Sequence, residues 1–148
     1  MRAVLIAVTA LLLIAPAADA RKSQFTIFEP GRELRSHDAA ERARVLDEAR
    51  AFGVGWIRIV LYWREVAPGS SRFDATDPAA YDWTVYDRIV DEARARGIRV
   101  LVTPSGPAPD WATLTGDGVD YPSPTHFRRF MTAVGRRFGS RVSRRRPV

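Results

Sequence analysis

The chain has 148 residues, 46% of them apolar and 27% charged, a composition that suits one globular domain with a buried core and excludes a disordered one. Its formal net charge is +6, but the basic residues are twenty-two arginines and a single lysine, and four of those arginines (Arg141, Arg144, Arg145 and Arg146) fall in the last eight residues. Net charge therefore reports mostly on the C-terminal end and gives no reason to expect a nucleic-acid partner. Cysteine is absent and His37 and His126 are the only histidines, so no disulfide framework, no metal site and no cofactor is expected.

Residues 1–20, MRAVLIAVTALLLIAPAADA, open on Arg2, run apolar from Ala3 to Ala15 and close on Ala18-Asp19-Ala20 after Pro16. This is the pattern of a secretory signal peptide. The apolar run is shorter than the roughly 20 residues of a membrane-spanning helix. A secreted chain starting near Arg21, with no membrane contact after cleavage, is expected. The segment Gln24 to Glu29 then combines Phe25, Thr26 and Ile27 into a strand that ends at the turn signal Pro30-Gly31. A helix follows, with Ser36 or Asp38 as its cap, Leu46 on its apolar side and Gly53 as its stop. Val54 to Trp63 is almost continuously apolar and reads as a strand buried on both faces, with Arg58 as its one charged member.

A polar loop leads through Asp77-Pro78 to a second amphipathic helix with Val85, Ile89 and Ala93 on one side and Gly97 at its end. Trp83 and Tyr86 read as packing residues there, and Asp74, Asp77 and Asp82 as turn and cap residues. Ile98 to Thr103 forms a further buried strand, followed by the long Pro/Gly loop PSGPAPDWATLTGDGVDYPSP. Ser123-Pro124 opens a third helix with Phe127, Phe130, Met131, Val134 and Phe138 on one stripe and Gly139 as its stop. The alternation of strand and helix predicts an α/β fold with a parallel sheet and right-handed crossovers. No phosphate-binding glycine motif follows any strand, which favours about the first three βα units of a partial (β/α)8 TIM barrel over a dinucleotide fold. Residues 21–141 form that unit, and 142–148 a basic tail.

In either fold, ligands bind at the carboxyl ends of the strands. The carboxylates expected there are Glu29, Glu65 and Asp110, each with an alternative reading as a solvated or arginine-paired group. Trp63 and Trp111 fall where a flat ring would stack on a sugar, or equally would anchor a loop. Arg58, on a buried strand, requires an acidic partner or a ligand anion.

GVGWIRIVLYWREVAPG, FDATDPAAYDWTVYDRIVDEARARGIRVLVTPSGPAPDWA and YPSPTHFRRFMTAVGRRFGSRVS together resemble the N-terminal part of secreted clan-A glycoside hydrolases of cellulase-like or xylosidase-like type. The resemblance implies that Arg58 supports a catalytic nucleophile. It also implies that Trp63 and the loop Ala108-Pro109-Asp110-Trp111 line a sugar cleft; Glu29, at the end of the first strand, is a further substrate-binding candidate by its position. It implies a poly- or oligosaccharide substrate cleaved at an O-glycosidic bond. The two catalytic glutamates of that family stand on later strands, and no counterpart occurs in these residues, so the chain alone is expected to be an inactive N-terminal portion with Arg144 to Val148 a foreign ending. Two other readings stand beside this one: a small secreted carbohydrate-binding or interaction module without catalysis, and an anionic-surface binder acting through the tail. Oligomeric state is not legible in the sequence.

Overall fold

A computed structural model describes residues 26–142. The expected signal peptide, Gln24 and Phe25 of the first expected strand, and residues 143–148 of the expected tail lie outside the described residues. The chain forms strand β1 (Ile27–Phe28), helix α1 (Ala39–Ala51), strand β2 (Trp56–Tyr62), the one-turn helix α2 (Trp63–Val66), helix α3 (Thr84–Ala95), strand β3 (Arg99–Ser105) and helix α4 (Pro124–Val142). Short 3-10 turns cover Arg32–Arg35, Pro78–Ala80 and Asp110–Ala112.

The local chemistry explains these limits. Asp38 caps α1, its side chain accepting from the Ala40 N–H at 2.8 Å, which satisfies one of the donors a helix start leaves open. Asp77 and Asp82 do the same for Ala79 and Thr84 at 2.9 Å each. Gly53 and Gly97 turn the chain from helix to strand at φ +75° and +74°, a conformation that costs glycine little and other residues more.

All three strands are parallel, in the order β1-β2-β3. Ile27 pairs with Trp56, and Trp56 to Tyr62 pair one for one with Arg99 to Ser105. This register corrects the partial-barrel expectation: the sheet is small and open, with four helices and a two-residue β1. Alternating strands and helices dictate parallel pairing and crossover, but closure needs a further set of matched strands with consistent tilt and stagger, and the three strands among the described residues leave both sheet edges unpaired there. The expectation that β2 is buried on both faces is corrected too. Ile57, Ile59 and Leu61 are buried, whereas Trp56, Arg58, Val60 and Tyr62 are only half-buried. A run of apolar residues marks a strand without fixing how many layers cover it.

The covered face packs on the helices. Leu46 of α1, Tyr86, Ile89, Val90 and Ala93 of α3, and Phe130, Ala133, Val134 and Phe138 of α4 join Ile57, Ile59, Leu61 and Val100 in one core. In α4, Phe130, Val134 and Phe138 are buried as the stripe predicts, but Phe127 and Met131 remain partly exposed. The helix also runs through Gly139 to Val142 rather than stopping there. Ion pairs tie the helices side to side. Arg42 of α1 is buried and reaches Glu92 of α3 at 2.7 Å and the Ser36 carbonyl at 2.8 Å. Arg137 and Arg141 of α4 clamp Asp87, and Arg141 also meets Asp91 at 2.6 Å. Replacing Phe130, which has no exposed surface, by alanine is expected to destabilise the fold by about 3–5 kcal/mol, read as a lower urea midpoint at an unchanged denaturant slope.

Candidate functional site at the carboxyl ends of the strands

Glu29 leaves β1 at its carboxyl end and meets Arg58 of β2, Oε2 to Nε at 3.0 Å. The pair is in ionic contact, yet the Arg58 N–H is not aligned for a hydrogen bond and Nε is otherwise buried without a partner among the described residues. With the two side chains 41% and 50% exposed, the pair adds at most about 1 kcal/mol to stability. Two residues of the pair thus hold opposite charges on the open side of the sheet for little structural return.

Further along β2, Tyr62 lies under the Arg35 guanidinium, 4.8 Å from the ring centre. Arg35 also pairs with Glu65 of α2 at 3.2 Å. Glu65 in turn accepts the Tyr86 hydroxyl at 2.8 Å, and the Tyr86 oxygen accepts the Tyr62 backbone N–H at 3.0 Å. Burial raises the Tyr86 phenol above its usual range, the Tyr62 N–H opposes this, and Glu65 reinforces it. Tyr86 therefore stays a protonated donor that joins β2, α2 and α3. Because β1 pairs only as far as Ile57, the flank of β2 beyond it is open. A niche of about 160 Å³ occupies that gap, lined by Glu29, Arg32, Arg35, Val60 and Tyr62 among others. This is smaller than the ~300–1,000 Å³ of ordinary small-molecule pockets. A larger groove of about 440 Å³ runs along α1, lined by Phe28, Val45, Phe52 and Val54 together with the charged Glu33, Arg44 and Glu48.

The two tryptophans singled out by sequence sit deeper. Trp63 is 2% exposed, stacked on Phe130 at 5.1 Å with 10° between planes and met edge-on by Trp111 at 6.1 Å. It presents no open face to a ligand, and its indole N–H has no hydrogen-bond partner among the described residues. Trp111 is half-buried and donates to the Pro68 carbonyl at 2.9 Å, so it clasps the loop after β2 to the loop after β3. Tyr81, sealed in the same aromatic group, has its phenol pushed up to about 12, chiefly by burial and secondarily by Asp74.

Arg64 completes this framework. It donates to the Ala108 carbonyl at 2.9 Å, to Asp110 at 2.7 Å and to the Asp117 carbonyl at 2.5 Å, which makes Asp110 a partner of Arg64. Gly118, at φ +75°, passes so close that a Cβ there would collide with Arg64 and the Ala108 carbonyl. The backbone N–H groups of Val119 and Asp120 bond Asp117 and hold its carboxyl below the usual range. Sequence reasoning missed Arg35, Tyr62 and Arg64. Their signal was position alone, since Tyr62 ends β2, Arg64 follows it by two residues and Arg35 follows β1 by seven, in a chain where arginine is too common to stand out. No group of three or more His, Cys, Asp or Glu suited to a metal ion occurs among the described residues, and none of their helices is long and apolar enough to cross a membrane.

Gly118→Ala is expected to destabilise the loop after β3 by about 1–3 kcal/mol, measured as a lower melting temperature together with faster exchange of the Ala108 amide, which bonds the Gly118 carbonyl at 2.7 Å. No protein-family model matches the chain and no curated protein matches it, so the site is read from its own geometry.

Proposed function

We propose that the chain supplies sugar-binding surface to a secreted glycoside hydrolase acting on O-glycosidic bonds of a poly- or oligosaccharide. One observation supports this above the rest: Glu29, Arg35 and Tyr62 converge on an open niche at the strand ends, with Arg58 behind Glu29. Charged hydrogen-bonding groups around a niche are what the hydroxyls of a neutral polyhydroxylated ring require, and Arg35 covers one face of the Tyr62 ring there. The resemblance of the β2 and β3 segments to clan-A glycoside hydrolases points the same way. Export through residues 1–20 belongs to the same proposal.

Hydrolysis itself is not expected of this chain. A glycosidase of the ordinary kind uses one carboxyl group as acid and a second as nucleophile or base. Glu29, Glu65 and Asp110 are each occupied by an arginine: Arg58, Arg35 and Arg64 respectively. Binding without catalysis, the role of a carbohydrate-binding module, is the second reading. Titration of the chain with cellohexaose and xylohexaose, followed calorimetrically and by assay for released reducing ends, separates these outcomes. Saturable binding without sugar release is expected, weakened roughly tenfold or more in Glu29→Ala, as befits a hydrogen bond to a charged group. In Arg44→Ala it is expected to be unchanged, because that residue pairs with Glu48 on the exposed side of α1. Absence of binding, or equal binding by Glu29→Ala, would contradict the proposal.

A further inference from the structure

Phe28 ends β1 and is 42% exposed, and Phe52 caps the carboxyl end of α1 and is 86% exposed. Neither belongs to the buried core. The cap conformation at Phe52, φ −79° and ψ 5°, suits most residues, so neither packing nor backbone accounts for a ring there. Both rings line the groove of about 440 Å³ between β1 and α1, where they join the buried Ala49 and the half-buried Val45 and Val54. Its volume falls within the ~300–1,000 Å³ of small-molecule sites, which are mostly apolar with a few placed polar groups.

The charges of the lining narrow what it meets. Arg44 and Glu48 pair with each other at 3.0 Å, one turn apart on α1, and so cancel. Glu33 has no ion-pair or side-chain hydrogen-bond partner among the described residues. Its carboxylate folds back against Gly31, itself part of the lining, so closely that a Cβ there would stand 2.7 Å from Oε2. The groove thus holds one uncompensated negative charge beside two exposed rings, in a chain whose net charge is +6. A phenyl face and a carboxylate both attract a cation, and apolar walls take a hydrocarbon body. An anion would meet its own sign at Glu33, and a polyhydroxylated ring would set its hydroxyls against apolar walls.

From this we infer that the groove between β1 and α1 binds a small amphiphilic amine, its hydrocarbon body against Phe28, Phe52 and Val54 and its cationic head at Glu33. The site shares only Pro30 and Gly31 with the sugar niche and does not depend on the function proposed above. Its test compares three probes of similar size and different charge: phenethylamine, phenethyl alcohol and hydrocinnamate, titrated into the full chain and followed by amide chemical shifts at Gly31, Phe52 and Val54. The amine is expected to bind roughly two- to fivefold more tightly than the alcohol, the range of one exposed ion pair, and the carboxylate most weakly. Glu33→Gln is expected to erase that preference. Phe52→Ala is expected to weaken amine and alcohol alike by about threefold or more. Both side chains are exposed, so the melting temperature is expected to hold, and the three-probe comparison on the wild type decides the question should a substitution disturb the fold. Absence of binding, equal affinity for the three probes, a preference for the carboxylate, or shifts centred on Arg35 and Tyr62 would overturn the site. An amine preference that survives Glu33→Gln would overturn it too. A concentration-dependent dimer seen by sedimentation, lost in Phe52→Ala and unable to take up the amine, would assign the groove to a second copy of the chain and overturn the inference as well.

Discussion

Trp63 lies flat on Phe130, ring centres 5.1 Å apart, and this stack joins the end of β2 to the middle of α4. Around it Trp111 and Phe127 close in at 6.1 and 5.7 Å, and Trp83 continues the pile on the far side of Phe130 at 6.4 Å. Such rings bury large apolar area, and their preferred edge and offset contacts give each pair a further ~0.5–1.5 kcal/mol. The loops after β2 and β3 depend on this block. Trp111 reaches the Pro68 carbonyl from it, and Arg64, next in sequence to Trp63, holds the Ala108 and Asp117 carbonyls. A sheet of three strands has little core of its own, so the aromatic block takes over part of the task.

This arrangement separates support from display. Trp63 and Trp111 combine residue type and position in the way a sugar platform would, yet the first is sealed and the second is committed to a loop contact. Glu29 and the half-buried Arg35 and Tyr62 line the niche, and Tyr121 on the loop is exposed. Buried rings fix the loops, and the loops then carry exposed polar groups and one exposed ring. Hydrogen bonding within the framework works in the same direction, since the Tyr86 hydroxyl couples Tyr62 to Glu65 and so sets two site elements from one core residue.

How far the sequence anticipates this depends on the range of the interaction involved. Asp38, Asp77 and Asp82 cap turns and helices where their local spacing predicts, and Trp83 and Tyr86 pack in the core. These depend on neighbours a few residues away. The order of strands and helices also follows from periodicity. Layering does not: the apolar run of β2 suggests two covered faces, and only the face bearing Ile57, Ile59 and Leu61 is fully covered. Barrel closure is likewise a property of strand number and stagger that no local pattern encodes. At the site, Glu29 and Arg58 are legible as a charge and its partner, whereas Arg35 becomes relevant only when the 3-10 turn brings it onto Tyr62. The left-handed backbone at Tyr121 was invisible for a different reason, because that conformation is read from glycine or asparagine and here falls on an aromatic residue.

The dependence of the loops on the aromatic stack is tested most directly by native-state amide exchange in the wild type and in Trp63→Leu, a change that keeps the position apolar while removing the stacked ring. Loss of protection at the amides of Arg64, Ala108 and Ser123, which bond Pro107, Gly118 and Ala112 across the loops, is expected to exceed any loss at Ile57 and Val100 in the sheet. Retained protection at those three amides, with only the strands loosened or with no change at all, would contradict the claim that the stack holds the loops in place.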